Sequence, residues 1–565
     1  MFRLRSSQGS LFQAAFLFPE EKAKRLEMSW ADMFQARALP LIDEDRFAGM
    51  YCDDNGRPNR AVQTVLGVLI LKEMFNLTDE EALDELEFNL LWHHALRLTL
   101  EEAHLAQKTL HNFRCRLITH DGGQVAFTET TDRILKALGI RIGRQRLDST
   151  HILSNIALLT RLGLFCETIR LFLRSLRQEH PELRRLVPEG LIARYLKEDE
   201  EETKYEDARS DAARQRLGVC ARDLYRLIDR MRGTAAQGLE EYHLLERLLR
   251  EQCEVGGKMD GPGEGDEDTG EGSVPITLKD PKQVRSDSLQ SPHDTDVTYS
   301  GHKGKGYEVQ VAETCEEENI TQIITYVDTT PSCGSDAEVT VPVIDALAER
   351  EIQPGELFVD TTFGSGRNAI EAERRGTEVV SPVAGPRASR TEEALQGANT
   401  MLTAADFQID ASGDKPSRCP AGHEAIDEYD ECEAMERVEL RFARATCEAC
   451  PMRPRCPVQL CRQLGVYILE ADLIKVNIER RRKAEASGEF RLRYAIRAGI
   501  EGTNSELKRA HGLGHLRVRG GLRVRLAVYL KALACNIKRM VHALREEKFR
   551  KPPVVVAGAL ALVLA

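Results

Sequence analysis

The sequence predicts a mixed α/β protein, one sheet whose strands are separated along the chain by helical and irregular insertions. Alternating, β-branched residues mark a strand around Arg146–Ile156 (RLDSTHILSNI). From Gly306 onward, GYEVQVAE and ITQIITYVD read as neighbouring strands. Ala337–Arg350 then reads as a crossover helix, and ELFVD, Glu356–Asp360, as a buried strand. Long segments on either side repeat apolar residues at helical spacing.

Taken in order, residues 60–118 form a helical N-terminal region, with Thr78 and Glu81 spaced as a capping box. Within it, Thr109–Leu117 places Arg114 and Arg116 on a short helix that is either a DNA contact or a solvated face. Residues 158–255 are rich in Leu, Arg and Glu at helical spacing and end in an acidic Gly-rich stretch, KMDGPGEGDEDTGEGSVP, that has no core-forming residue. A Gly-rich turn, FGSGRN, follows Asp360; residues 386–465 read as irregular and cysteine-bearing; 470–548 read as helical and basic. The resulting division is 1–140 helical, 141–157 first part of the sheet, 158–277 helical insertion, 278–385 second part of the sheet, 386–465 cysteine-rich insertion, 466–550 basic helical part and 551–565 apolar tail.

At 565 residues the chain exceeds the size of a single core, so several domains or large insertions are expected. Hydrophobic residues at 42% and charged residues at 30% fit a soluble protein rather than a membrane or disordered one. The tail Val554–Ala565 is too short to cross a bilayer, and the N-terminus lacks a signal-peptide pattern, so a cytoplasmic, nucleoid-associated location is expected. The fourteen cysteines should then be reduced. Net charge is -12, yet residues 471–550 hold 20 Lys and Arg against 8 Asp and Glu. A basic segment on an acidic body is the footprint of a localised nucleic-acid site.

The most informative spacing is Tyr494, Arg497, Glu501 and Lys508 in RYAIRAGIEGTNSELKR. On a continuous helix these four fall within an arc of about 60°, whereas Glu506 lies outside it. A carboxylate between cations suits a site that holds a metal and grips phosphates. Gly499 and Gly502 weaken a helix by about 1 kcal/mol each, which suggests close approach of another backbone. Asp148 and Asp360 sit in apolar or β-branched surroundings, where a carboxylate needs a metal or a cation. Two strand aspartates and a helical glutamate make a hard oxygen site for Mg2+ or Mn2+.

These residues resemble the DDE transposases of bacterial insertion sequences that have a Tyr-(2)-Arg-(3)-Glu-(6)-Lys signature. Every gap matches at Tyr494, Arg497, Glu501 and Lys508. Asp148 matches the family's first aspartate, and Val359–Ser365 its Ala-Asp-x-Gly-Tyr-x-Ser segment, with Thr362 for Gly and Phe363 for Tyr. The resemblance implies an RNase H-like catalytic fold, catalytic Asp148, Asp360 and Glu501 holding Mg2+ or Mn2+, and cleavage and strand transfer of DNA. It also implies terminal inverted repeats and target DNA as partners and a homodimer in the DNA complex. Tyr494, Arg497 and Lys508, with Arg517 and Arg519 in the basic run, are the expected DNA contacts. An RNase H-fold nuclease or resolvase, or an inactive transposase-derived DNA-binding protein, are the alternatives.

The second strong spacing is Cys419, Cys447, Cys450 and Cys456, read as a structural Zn2+ site with His423, Cys432 and Cys461 as substitute ligands. His302, Lys303 and Lys305 read as a solvated loop rather than a phosphate contact, and His93 and His94 as packed or half-exposed residues rather than ligands. Neither a dinucleotide fingerprint nor a Walker A lysine motif occurs, so no nucleotide cofactor is expected.

Overall fold

Five strands and a sixth, short one form the central sheet among the described residues of the computed structural model. The five are β1 (Arg144–Ile152), β2 (Gly304–Thr314), β3 (Ile324–Pro331), β4 (Glu356–Phe358) and β5 (Glu378–Val380). Their order is β3-β2-β1-β4-β5, with a short strand Thr298–Ser300 paired to the start of β2. β2 runs antiparallel to both β1 and β3, while β1, β4 and β5 are parallel. This mixed α/β sheet flanked by helices is the RNase H-like arrangement. The described residues are 1–5, 18–52, 58–196, 211–256, 275–384, 401–409, 416–432 and 437–549. The acidic Gly-rich stretch, apart from its last residue, and the apolar tail lie outside them.

The strands form where the sequence alternates. Leu147 and Ile152 of β1 are fully buried, and β2, the central partner, is buried along nearly its whole length. In the N-terminal region the capping box is present: the Thr78 Oγ1 accepts from the Glu81 amide at 3.2 Å and Glu81 Oε2 from the Thr78 amide at 2.7 Å. The final helix, Gly521–Phe549, packs on Val62–Met74, on Gly122–Leu138 and on β3. One apolar core therefore runs from Phe34 and Leu69 through Val309 and Val311 to Leu533 and Ile537. A buried amide seals the join, because Asn536 both accepts from the Ile324 amide and donates to its carbonyl, each at 2.8 Å.

Two insertions have cores of their own. Helices Arg161–Glu179, Glu189–Tyr195, Asp211–Met231 and Glu240–Gln252, inserted between β1 and β2, close around Phe165, Phe172, Leu224 and Tyr242. The stretch expected to be irregular up to residue 465 instead builds a four-stranded antiparallel sheet. Its strands are β6 (Asp427–Cys432), β7 (Arg437–Ala443), β8 (Gln459–Cys461) and β9 (Val466–Asp472), in the order β8-β9-β7-β6. The reason is period-2 patterning: Val438, Leu440 and Phe442 on β7 and Tyr467, Leu469 and Ala471 on β9 are buried on one face. Among the described residues no helix is long and apolar enough to cross a membrane.

Candidate active site

Asp148 lies in the middle of β1, and Asp360 lies two residues beyond β4. The parallel register pairs Arg146 with Phe358, so continuing it brings position 148 opposite position 360. The turn after Asp360 is built by its own carboxylate, whose Oδ1 accepts from the Thr362 and Phe363 amides at 2.9 and 3.0 Å. Phe363 is fully buried, while Thr362 is exposed and outside the left-handed region, so neither departure from the Gly-Tyr pattern disturbs the turn. Gly364 is required by packing, since a Cβ there would overlap Ser381. Arg481 clamps the same turn by donating to the carbonyls of Gly364 at 2.7 Å and Ser381 at 3.1 Å.

Glu501 sits in the first turn of the helix Gly499–Arg509. Just before it, in a short 3-10 turn Ala495–Ala498, Arg497 donates to Asp148 Oδ1 at 2.9 Å and to Glu501 Oε1 at 3.2 Å. Asn504 donates to the other Asp148 oxygen at 3.1 Å. Burial pushes the Asp148 carboxyl up; Arg497 opposes this, and the neighbouring charges of Asp360 and Glu501 add to the rise. The three carboxylates therefore share one electrostatic neighbourhood, with Arg497 in direct contact with two of them. Arg497 Nε and Asn504 Oδ1 are buried there without hydrogen-bond partners.

The expectation of one continuous helical face is corrected. Tyr494 ends a separate helix, Gly488–Tyr494, and the 3-10 turn breaks the geometry between it and Glu501. Its hydroxyl donates to the Val359 carbonyl at 3.1 Å, beside Asp360, and its ring stacks on Phe490 at 5.6 Å. Of the two glycines, Gly499 is closely approached, but by the Arg146 side chain rather than by backbone, and Gly502 faces open space. Arg146 donates to Glu313 Oε1 at 2.8 Å and to the Ile496 carbonyl at 2.7 Å, which holds the turn carrying Arg497 against the sheet. Sequence reading missed Arg146, Arg481 and Asn504. Asn504 alone left a local signal, three residues after Glu501 on a helix.

The basic segment is not wholly available to DNA. Arg493 pairs with Glu356 and Glu378, Arg525 with Asp328, Lys531 with Glu73, and Arg539 with Glu313 and Glu506. Arg517 and Arg519 are both exposed, and Arg517 donates to Asn76 and to the Leu77 carbonyl, tying down the N-terminal region. Lys508 is half-buried and contributes to lowering the pKa of His151 on β1, after burial of that ring. Arg114 is engaged by Asp79, and Arg116 lies over the Tyr51 ring at 4.7 Å. His302 is exposed; Lys303 pairs with Glu308 at 3.0 Å and Lys305 donates to the Leu159 carbonyl at 2.8 Å. Buried His93 lies 2.7 Å from the Leu86 carbonyl and His94 3.2 Å from Asp32, both packed as expected.

Cys419, Cys447, Cys450 and Cys456 line one small cavity together with His423, Phe442, Arg453 and Val458. A tight turn, with the Gly422 amide on the Cys419 carbonyl at 2.8 Å, brings in the first thiol, and the Cys447–Cys450 turn brings in the next two. Burial, then the adjacent Cys456, Cys419 and Cys450, pushes the Cys447 thiol up to about 11. All four are free thiols. Cys461 lies on β8, outside that lining, and the Cys432 side chain is outside the described residues.

Residues 418–541 match the family model of the transposase DDE domain, and residues 28–116 match that of a transposase domain (DUF772). The two matches indicate an insertion-sequence DDE transposase. The first match spans the cysteine-lined cavity, Glu501 and most of the final helix, and the second covers the N-terminal helices up to Arg116. No curated protein and no solved structure matches the chain.

Proposed function

We propose that the transposase cleaves DNA at the terminal inverted repeats of its element and joins the freed ends to target DNA, with Asp148, Asp360 and Glu501 as its catalytic carboxylates. The observation that carries this reading is the single electrostatic neighbourhood of the three acids around Arg497. Three carboxylates against one touching guanidinium leave an excess of two negative charges on hard oxygen donors, which fits Mg2+ or Mn2+. When bound there, the divalent ion supplies activation of the attacking oxygen and stabilisation of the leaving one.

The chain's own residues do the positioning. Asn504 orients Asp148, Arg146 fixes the turn that bears Arg497, and Tyr494 braces the strand end that bears Asp360. Arg497, Lys508 and Arg519 grip phosphates beside the scissile bond, contacts that carry no base information. The four cysteines hold a structural Zn2+, since four protein ligands leave no open position. Two copies act together on paired ends in the cytoplasm, without a nucleotide cofactor.

The test is cleavage of end-bearing DNA by Asp148→Asn, Asp360→Asn and Glu501→Gln. Each should abolish strand cleavage while end binding stays close to the parental level, because the amides remove charge but not shape. Substantial cleavage by Glu501→Gln would remove it from the active site. Cleavage by the parental protein without strand transfer would make the enzyme a nuclease.

A further inference from the structure

A second cluster of metal-binding groups lies on the far end of the glutamate helix. Glu506, His511 and Cys535 each present one ligand atom, and these atoms lie within 4.8 Å of one another. His511 and Cys535 are fully buried. His511 Nδ1 is 2.9 Å from the Glu73 carbonyl, so it carries the hydrogen and donates. The other ring nitrogen, Nε2, therefore keeps its lone pair, and it is buried without a hydrogen-bond partner. A ring fixed through one nitrogen by a carbonyl, with the other bare and facing a thiol and a carboxylate, is the arrangement that prepares a histidine for a metal. Glu506 Oε2 is occupied by Arg539 at 2.8 and 3.0 Å, which leaves Oε1 for the cluster.

We propose that Glu506, His511 and Cys535 bind one zinc ion, separate from the catalytic carboxylates and from the four-cysteine cavity. One oxygen, one nitrogen and one sulfur donor suit a borderline-soft divalent ion, and a carboxylate plus a thiolate neutralise its charge. The neighbouring cations do not oppose this strongly, because Arg539 is shared with Glu313 and Lys531 is paired with Glu73. Binding releases the Cys535 proton to solvent, because the metal ligand is the thiolate; of the three ligands, Glu506 borders a surface cleft that Asn319, Lys538 and His542 also line. The ion would join the helix bearing Glu501 to the final helix, and so fix the catalytic glutamate relative to the core.

Elemental analysis of the full-length protein, purified without chelator, tests the site with zinc itself as the probe. Two zinc ions per chain are expected, falling to one in His511→Ala and in Cys535→Ser, and to a different one in Cys447→Ser. Zinc content unchanged in folded His511→Ala and Cys535→Ser overturns the proposal. Should those variants fail to fold, zinc K-edge absorption on Cys447→Ser, in which the four-cysteine cavity has lost a ligand, decides. A first shell that mixes sulfur near about 2.3 Å with nitrogen or oxygen near about 2.0–2.1 Å supports the site, and sulfur alone overturns it.

Discussion

The Arg497 guanidinium donates to Asp148 Oδ1 at 2.9 Å although 349 positions separate the two residues. Its other contact, with Glu501, is screened by solvent, because the Glu501 side chain is 68% exposed whereas that of Asp148 is 14% exposed. The shielded contact therefore dominates, and Arg497 acts chiefly on Asp148. Arg497 lowers the Asp148 pKa against burial and against the nearby Asp360 and Glu501. Removing its charge must raise that pKa further, so Asp148 becomes protonated at higher pH. In Arg497→Gln the acid limb of the cleavage pH–rate profile should move to higher pH at saturating Mg2+. An acid limb that stays put, or moves to lower pH, would uncouple the two groups.

Lys508 and Arg517 stand on the same basic stretch but should behave differently. Lys508→Ala should weaken end binding about equally for different end sequences and reduce the salt slope by about 0.9. Arg517 is committed to Asn76 and Leu77, so Arg517→Ala should lower thermal stability with little change in slope. Binding isotherms across a salt series, with melting curves for both variants, separate the roles. Equal slopes for Lys508→Ala and the parental protein would remove Lys508 from the phosphate contacts.

The two glycines near Glu501 give opposite expectations. A Cβ at position 499 would overlap the Arg146 guanidinium, which is held on both Glu313 and Ile496. Gly499→Ala should therefore destabilise by about 1–3 kcal/mol and depress cleavage by shifting the Arg497 turn. Position 502 is open, so Gly502→Ala should stabilise the helix by up to about 1 kcal/mol. Melting temperatures that fall for both would show that Gly502 has a contact the fold does not reveal.

Buried charge joins the first and last parts of the chain. Lys531 donates to Glu73 at 2.5 Å, both side chains being 6% exposed, and Lys72 donates to the other Glu73 oxygen at 2.8 Å. Burial raises the Glu73 pKa, but the two lysines outweigh it and hold the carboxyl below its usual range. Glu73→Gln leaves Lys531 buried without its counter-charge and should cost about 3–5 kcal/mol. Glu73→Gln/Lys531→Met should recover most of that loss. Melting curves of the single and double variants check this, and a double variant no better than the single would mean that packing, not charge, dominates.

The elements of the sheet and the helices could be read from the sequence because their signals are local. The capping box at Thr78 and Glu81 needs only three residues of spacing, and β1 and β2 need only alternation or a continuous apolar run. The same alternation is present in VELRFA and VYILEAD of the cysteine-bearing insertion, in strands of only seven residues separated by turns and cysteines. Spacing also related Arg497 to Glu501, four residues apart. It did not reveal the 3-10 turn that separates Tyr494 from the glutamate helix, because that break depends on Arg146 holding the Ile496 carbonyl from 350 positions away.

By itself the sequence determined the mixed α/β class, the succession of elements in the central sheet and the candidate acidic and cysteine residues, since periodicity and side-chain chemistry are written residue by residue. Only the tertiary structure decided that Asp148 lies opposite Asp360, under Arg497, that Arg525, Lys531 and Arg539 are held by carboxylates of distant elements, and that exposed Arg517 is tied to Asn76 and Leu77. It also brought the unpartnered Nε2 of His511 and the Cys535 thiol within 4.8 Å of Glu506. These are contacts between distant positions, and their energies depend on burial and register, which no short stretch of sequence contains.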